Sequence, residues 1–268
     1  MKSKSFFGAG SALLFFITVS ATAGPVPLIL TSSSYNFQLA GGGGGASATL
    51  NGVPVEIFCD NFYNEIYVPS SNSADVTTLG TGANLSETRF GGVAQTAWTT
   101  ITLSDGNTSL DNTDNAFFNN PSGPGTTALA RYEMVADLVS LYNVSQGGTT
   151  ANNQIQEAIW TLMDPAAQGP VIDPSGVNPD NYLEQAAGWY MANSGNQIAM
   201  NNFLSGFEVI SDPSMTFSNG LGQGGFQEQI VMATPEPRGT VWMVLCIVLG
   251  GFVIARRTRL TSAPAMNS

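Results

Sequence analysis

The strongest constraint on this chain sits near its carboxyl end. From Gly239 to Ala255 it carries no charge and is mostly apolar, with Val241-Trp242-Met243-Val244-Leu245-Cys246-Ile247-Val248-Leu249 at the centre. Arg256, Arg257 and Arg259 follow at once. The run sits at the lower limit of a membrane-spanning helix, about 17–25 residues. A terminal apolar run closed by arginines reads as a stop-transfer anchor rather than a buried core helix. The positive-inside rule keeps its arginine end in the cytoplasm and everything upstream outside. The amino end agrees. Lys2 and Lys4 precede an apolar stretch, Leu13-Leu14-Phe15-Phe16-Ile17 with Val19, and Ala21-Thr22-Ala23 is an A-x-A cleavage site. Residues 1–23 therefore read as a secretory signal peptide.

Just before the apolar run stands Thr234-Pro235-Glu236-Pro237. Pro-Glu-Pro, a short membrane helix, an arginine cluster and the chain end, in that order, resemble the PEP-CTERM sorting signal of Gram-negative bacteria. The resemblance covers residues 234–259, with the transmembrane helix at 239–255 and a cytoplasmic tail at 260–268. It implies recognition by an exosortase during export. The expected path is an inner-membrane intermediate, then the cell surface or an exopolysaccharide matrix. It says nothing of what the exported part, residues 24–233, does.

Charge narrows the classes of function. The chain has eight basic and 19 acidic residues, no histidine and two cysteines. Between Gly24 and Pro237 the only basic residues are Arg89 and Arg131, and all of the acids lie there. Nucleic acid is excluded as a partner, because neutralising phosphates needs clustered Lys and Arg. Without histidine there is no Ser-His-Asp triad and no His-ligated zinc. The acidic surface is also expected to keep copies dispersed. It disfavours docking onto anionic polysaccharide unless divalent cations bridge.

Along the exported part, strands come first. Leu28-Ile29-Leu30 and the alternating Tyr35 to Leu39 are strand candidates. Asn51-Gly52 between Ala48-Thr49-Leu50 and Val55 to Cys59 signals a hairpin. Residues 70–125 are rich in Ser, Thr, Asn and Gly, with one strand expected at Ala97 to Leu103. The period then changes. Leu129, Tyr132, Val135, Leu138, Val139 and Tyr142 form a helical stripe. Thr150 is expected to cap a second helix ending before Asp164-Pro165. Residues 181–204 give one or two more helices, broken near Ser194-Gly195. Strands are expected again at Phe207 to Ile210, Met215 to Phe217 and Phe226 to Met232. The fold class is α+β, a β-sandwich or barrel base carrying an inserted helical subdomain.

With the signal removed and Cys246 in the membrane run, Cys59 is left as the single exported cysteine, without an intrachain disulfide partner. It can be a small buried hydrophobe, half of an intermolecular disulfide, or a thiol bonded to something else. Phe58-Cys59-Asp60 is followed about a hundred residues on by Ile155-Gln156-Glu157-Ala158-Ile159-Trp160, and near the domain's end by Phe226-Gln227-Glu228-Gln229-Ile230-Val231. This series resembles the Cys–Gln thioester domains of bacterial surface adhesins. They carry an aromatic-Cys segment, then Thr-Gln-x-Ala-apolar-Trp, then apolar-Gln-x-x-apolar-apolar, and they attach helices to a β base. The resemblance implies that the Cys59 thiol attacks the carboxamide of Gln227, ammonia leaves, and a surface nucleophile later takes the acyl group. Gln156 is the middle-motif glutamine, in a supporting role. Ile155 stands where that family has Thr. The segment around Gln156 also fits the last motif, so Gln156 is the second choice of acyl donor.

The residues can be read without the family. Ile155, Ile159 and Leu162 define a core face of one helix. Gln156, Trp160 and Met163 lie one position round, which puts Gln156 at the edge of that face. Gln227 is expected on a strand, opposite Phe226, Glu228 and Ile230. A thioester needs shielding from water, with Phe58 and Trp160 as candidate walls. A free thiol has a pKa near 8.5, and a charged Asp60 beside it hinders thiolate formation, so proximity on burial is the remaining route. A lysine-free exported domain cannot quench its own thioester with a side-chain amine.

Other signals are weaker. Asp105, Asn107 and Asp111 form an oxygen-rich loop that can hold calcium, although its spacing is not that of an EF-hand. No other cofactor is implied. Asp60 and Glu65 can be paired as hydrolase carboxylates, but nothing singles them out among so many acids. Trp98, Trp160, Trp189, Tyr35, Tyr63 and Tyr182 can stack on sugars or fill the core. Gly41 to Gly45 lacks the phosphate-loop pattern. The expectation is a non-enzymatic structural or adhesive protein whose partner is extracellular polysaccharide or a surface nucleophile. The alternative is a secreted polysaccharide-active hydrolase or carbohydrate-binding module.

Overall fold

Asn51 and Gly52 both adopt positive φ, 50° and 80°, and close a two-residue turn between two antiparallel strands. That is the geometry an Asn-Gly pair favours, because its twist matches that of the flanking strands. In this computed structural model the described residues are 24–32, 45–61, 67–80, 83–98, 101, 117–118, 120, 122–142, 149–163 and 180–232. The hairpin strands are β2 (Gly45–Leu50) and β3 (Val53–Cys59), with β1 (Val26–Ser32) on the outer side of β2. β4 (Ser70–Thr78) pairs with β1, and β5 (Phe207–Ser211) and β8 (Gln229–Met232) complete the ring. The order β1-β2-β3-β8-β5-β4 closes into a six-stranded barrel, antiparallel throughout. β6 (Thr216–Ser218) and β7 (Leu221–Gln223) form a separate hairpin between β5 and β8.

Among the described residues four α-helices are inserted between β4 and β5: α1 (Ala128–Leu141), α2 (Thr150–Leu162), α3 (Asp180–Asn193) and α4 (Gln197–Leu204). The fold is α+β on a barrel base, with the helices as an insertion. Thr127, Thr149 and Asn196 cap α1, α2 and α4 through their side-chain oxygens. Such a cap typically contributes about 1 kcal/mol. The cap of α2 is thus Thr149 and not Thr150, which is the first helical residue.

Alternation along the strands divides the core in two. Val55 and Ile57 of β3, Ile210 of β5 and Val231 of β8 fill the barrel interior with Leu28, Leu30 and Ala48. Phe58, Val209 and Ile230 point the other way, into a larger core shared with Tyr132, Val135, Ile155 and Ile159. The three strands β3, β8 and β5 are therefore buried on both faces. Their ends are the place where barrel, α1 and α2 meet.

Several expectations need correcting. The strand expected from Ala97 does not begin there. Gln95–Ala97 is a 3-10 turn, and Trp98 is buried because the Arg131 guanidinium packs 5.0 Å over its ring. Trp98 itself makes a bridge pairing, and of the rest of the expected strand only Ile101 is among the described residues. The last strand starts at Gln229, not Phe226. Phe226 joins Val231 in the barrel core, while Ile230 faces the helices. The simple alternation expected through Phe226, Glu228 and Ile230 is thus interrupted. The stripe on α1 understates its burial, since Arg131, Glu133 and Met134 are buried as well, whereas Leu129 is exposed. Tyr35 to Leu39, the signal peptide expected at 1–23, Asp105, Asn107, Asp111, Pro235 to Pro237 and the apolar run with its arginines lie outside the described residues. Among the described residues no helix is long and apolar enough to cross a membrane.

Candidate functional site

β3 ends at Cys59, directly opposite Gln229 of β8 in the strand register. Cys59 is two residues from Ile57 and so shares its side of the strand. Gln227 lies just before β8. Its carboxamide reaches back so that Cys59 donates Sγ–H to Gln227 Oε1 at 3.0 Å, although the two residues are 168 positions apart. The thiol is 5% exposed and Gln227 6%, so water reaches neither freely. The three motif residues singled out in the sequence converge here. Gln156 of α2, fully buried, donates from Nε2 to the Cys59 carbonyl at 2.6 Å. Its amide nitrogen is thereby engaged by the backbone of Cys59, while the Gln227 amide meets the sulfur. Gln156 lies deep in the interface rather than at the edge of a face, because α2 is buried on the Ile155 and Gln156 rows alike.

Two further polar groups hold the Gln227 carboxamide. Gln227 Nε2 donates to the Asn61 carbonyl, on the segment that leaves β3. Gln229 Nε2 lies 3.4 Å from Gln227 Oε1 and 3.2 Å from the Gln227 carbonyl oxygen. The carboxamide is thus fixed at both ends, and its carbonyl oxygen is approached by the thiol and by the Gln229 amide. Two donors around a carbonyl oxygen are what an addition reaction needs where negative charge develops. Gln229 was not singled out from the sequence. Its register position opposite Cys59 becomes visible only once β3 and β8 pair.

The other side of the same strand ends carries a carboxyl pair. Asp60 and Glu228, the residues after Cys59 and Gln227, are both completely buried. Glu228 accepts from the Arg89 backbone N–H at 2.5 Å, from Ser211 Oγ at 2.5 Å and from the Tyr132 hydroxyl at 2.6 Å. Among the described residues Asp60 receives no such donors at its carboxyl oxygens, and it faces Glu228 instead. Burial first, and then the Glu228 charge, push Asp60 well above the usual carboxylate range. Burial raises Glu228 too, against the opposing pull of its Arg89, Ser211 and Tyr132 donors. The donors settle where the charge rests: Glu228 is the anion and Asp60 keeps the proton. A neutral Asp60 beside Cys59 removes the electrostatic obstacle to thiolate formation that a charged carboxylate would create. Glu65, the partner suggested by sequence, lies outside the described residues.

Arg89 ties the approach to Gln227. Its guanidinium donates to the carbonyls of Gly222, Gly224 and Phe226 at 2.8, 2.7 and 2.9 Å. Three consecutive stations of the segment entering Gln227 are therefore held by one planar fork. Phe58 packs edge-on against Tyr142 with centroids 4.9 Å apart, and Trp160 is buried in α2. Both belong to the dry surround of the site. Trp98 is likewise buried, and Tyr182 and Trp189 are half-buried against the core. These positions mark them as packing residues. Tyr35 and Tyr63 lie outside the described residues. Among the described residues no group of acidic or thiol side chains is arranged to hold a metal ion.

Compared with protein-family models, curated proteins and solved structures, the chain matches none.

Proposed function

We propose that this protein is an exported surface or matrix protein, non-catalytic, that attaches covalently through an internal thioester between Cys59 and Gln227. The observation that carries the reading is the 3.0 Å approach of the Cys59 sulfur to the Gln227 carboxamide inside a nearly dry site. Sulfur adds to the carboxamide carbon of Gln227 and the C–N bond breaks. The thiol proton leaves with the amide nitrogen as ammonia. An acyl–sulfur bond remains. A nucleophile on the partner surface then takes the acyl group, the sulfur leaves as thiol, and the two molecules are joined.

Each neighbour has a part in this scheme. Gln229 and the thiol proton face the oxygen on which charge develops. The Asn61 carbonyl accepts from the departing nitrogen. Gln156 holds the backbone of Cys59. Holding the two reacting groups together substitutes for a strong base, since a well-oriented intramolecular pair is worth about 7–11 kcal/mol of barrier. The site favours this over a polysaccharide hydrolase, because the carboxyl pair it contains is wholly buried. Export, exosortase sorting and delivery to a Gram-negative surface or exopolysaccharide matrix rest on the motifs at residues 1–23 and 234–259.

The test is chemical. The purified protein is denatured in the presence of maleimide, before and after exposure to methylamine. A masked thiol that becomes titratable after methylamine, with the new amide mapped to Gln227, supports the reading. A thiol that titrates fully from the start removes it.

A further inference from the structure

A second site lies on the helical side of the molecule and does not involve Cys59. A cleft of about 330 Å³ opens between the end of β4, the start of α1 and α4, lined by Leu79, Ala83, Leu129, Glu133, Gln197 and Asn201. Glu133 is 6% exposed, and among the described residues its carboxyl has no hydrogen-bond or ion-pair partner. Leaving a carboxyl this deep without a partner is costly, and neighbours normally compensate for it. The described residues cannot. They hold no lysine, and both of their arginines are already committed. Arg89 is spent on the carbonyls before Gln227, and Arg131 on the Gly125 and Leu162 carbonyls. When Glu133 is charged, a cationic guest in the cleft would supply the partner that the described residues do not.

We infer that this cleft is a binding site for a primary ammonium group on an alkyl stem. Glu133 would pair with the charge. Leu79, Ala83 and Leu129 offer an apolar wall to the stem. Gln197 donates from Nε2 to Asn201 Oδ1 at 3.2 Å, which leaves the Gln197 carbonyl oxygen as a further acceptor. The ammonium group can belong to a free alkylamine or to a lysine side chain of another protein. The surface suits such a guest. With both arginines buried, no cationic side chain of the described residues repels it. Long-range attraction by acidic groups raises the rate of encounter.

Titration calorimetry tests the site in Cys59→Ala protein, so that no amine can be consumed at the thiol. The probes are n-butylammonium, Nα-acetyl-lysinamide and, as the neutral control, n-butanol. At about pH 8, where the carboxyl is charged, saturable 1:1 binding of butylammonium and none of butanol is expected. Glu133→Gln keeps the shape and should weaken binding by at least about tenfold, whereas Asn201→Asp should tighten it. Burial holds the Glu133 pKa at about 7, so binding should fade in mild acid. Of the groups that face Glu133, Tyr190 on α3 stays neutral throughout and Asp137 on α1 titrates near 6. The linings from β4 and α4 carry no titratable side chain. Binding of both ammonium probes assigns a protein lysine as the guest, and binding of butylammonium alone assigns a free amine. Failure of both probes, or equal affinity in well-folded Glu133→Gln protein, overturns the inference.

Discussion

Asp60 and Glu228 bury their carboxyls against each other at the ends of two paired strands, each one residue beyond a member of the Cys59–Gln227 pair. The Asp60 N–H also donates to the Glu228 carbonyl at 3.3 Å, so the strand ends are joined through main chain as well as through the shared proton. The pair is therefore part of what fixes the thiol against the carboxamide. Glu228→Ala would strip the acceptor from Tyr132, Ser211 and the Arg89 N–H, and leave the buried guanidinium without its counter-charge. The expected loss is about 3–5 kcal/mol in denaturant unfolding. Asp60→Asn, which keeps a donor facing Glu228, should cost much less. Equal costs for the two would show that the proton sits elsewhere.

Arg89 acts on the segment rather than on the reaction. Its fork holds the carbonyls of Gly222, Gly224 and Phe226, and Lys cannot reproduce that geometry. Arg89→Lys should lower stability by roughly 1–3 kcal/mol and slow the appearance of the masked thiol on refolding. Thermal unfolding and maleimide titration read the two effects separately. Unchanged kinetics of thiol masking would mean that the segment keeps its shape without the fork.

Stability should also depend on pH in an unusual direction. Glu133 and Asp137 sit one turn apart on α1, and burial raises their pKa values from 4.5 to about 7 and from 3.8 to about 6. The folded state therefore holds protons that the unfolded chain releases. Their stabilisation is complete below the unfolded values and is lost as pH rises through about 6–7. Allowing for solvent screening, the loss is on the order of 1–2 kcal/mol between pH 5 and 8. Urea midpoints across that range should fall, and Glu133→Gln should flatten the decline. A midpoint that rises toward pH 8 would contradict the assignment.

Much of the frame was legible because it rests on local chemistry. Asn51-Gly52 demands positive φ at two successive positions and so announces the β2–β3 hairpin. The Ser194-Gly195 break follows from short residues at a helix end, whereas the α2 cap expected at Thr150 is one residue late, since Thr149 is the cap. Cys59 stood out through the scarcity of cysteine, and Gln156 and Gln227 through the resemblance of their motifs to Cys–Gln thioester domains. Gln229, Arg89 and the Asp60–Glu228 proton were not. Each depends on strand register or on a contact more than a hundred residues away, which no local period encodes. The start of the strand expected from Ala97 was one residue early, since Gln95–Ala97 forms a 3-10 turn and the bridge pairing begins at Trp98. The Arg131 guanidinium over the Trp98 ring was not legible, because a cation–π contact leaves no periodic trace. The barrel could not be told from a sandwich either, because closure depends on β1 pairing with β4 as well as β2.

The central claim is that Cys59 and Gln227 become one covalent unit, and the intact mass of the purified protein tests it most directly. The account predicts a deficit of one ammonia in wild type and in Gln156→Ala protein, where the donor is retained, and no deficit in Cys59→Ala or Gln227→Ala. A wild-type mass equal to that of the unmodified chain, in freshly purified folded protein, would contradict it.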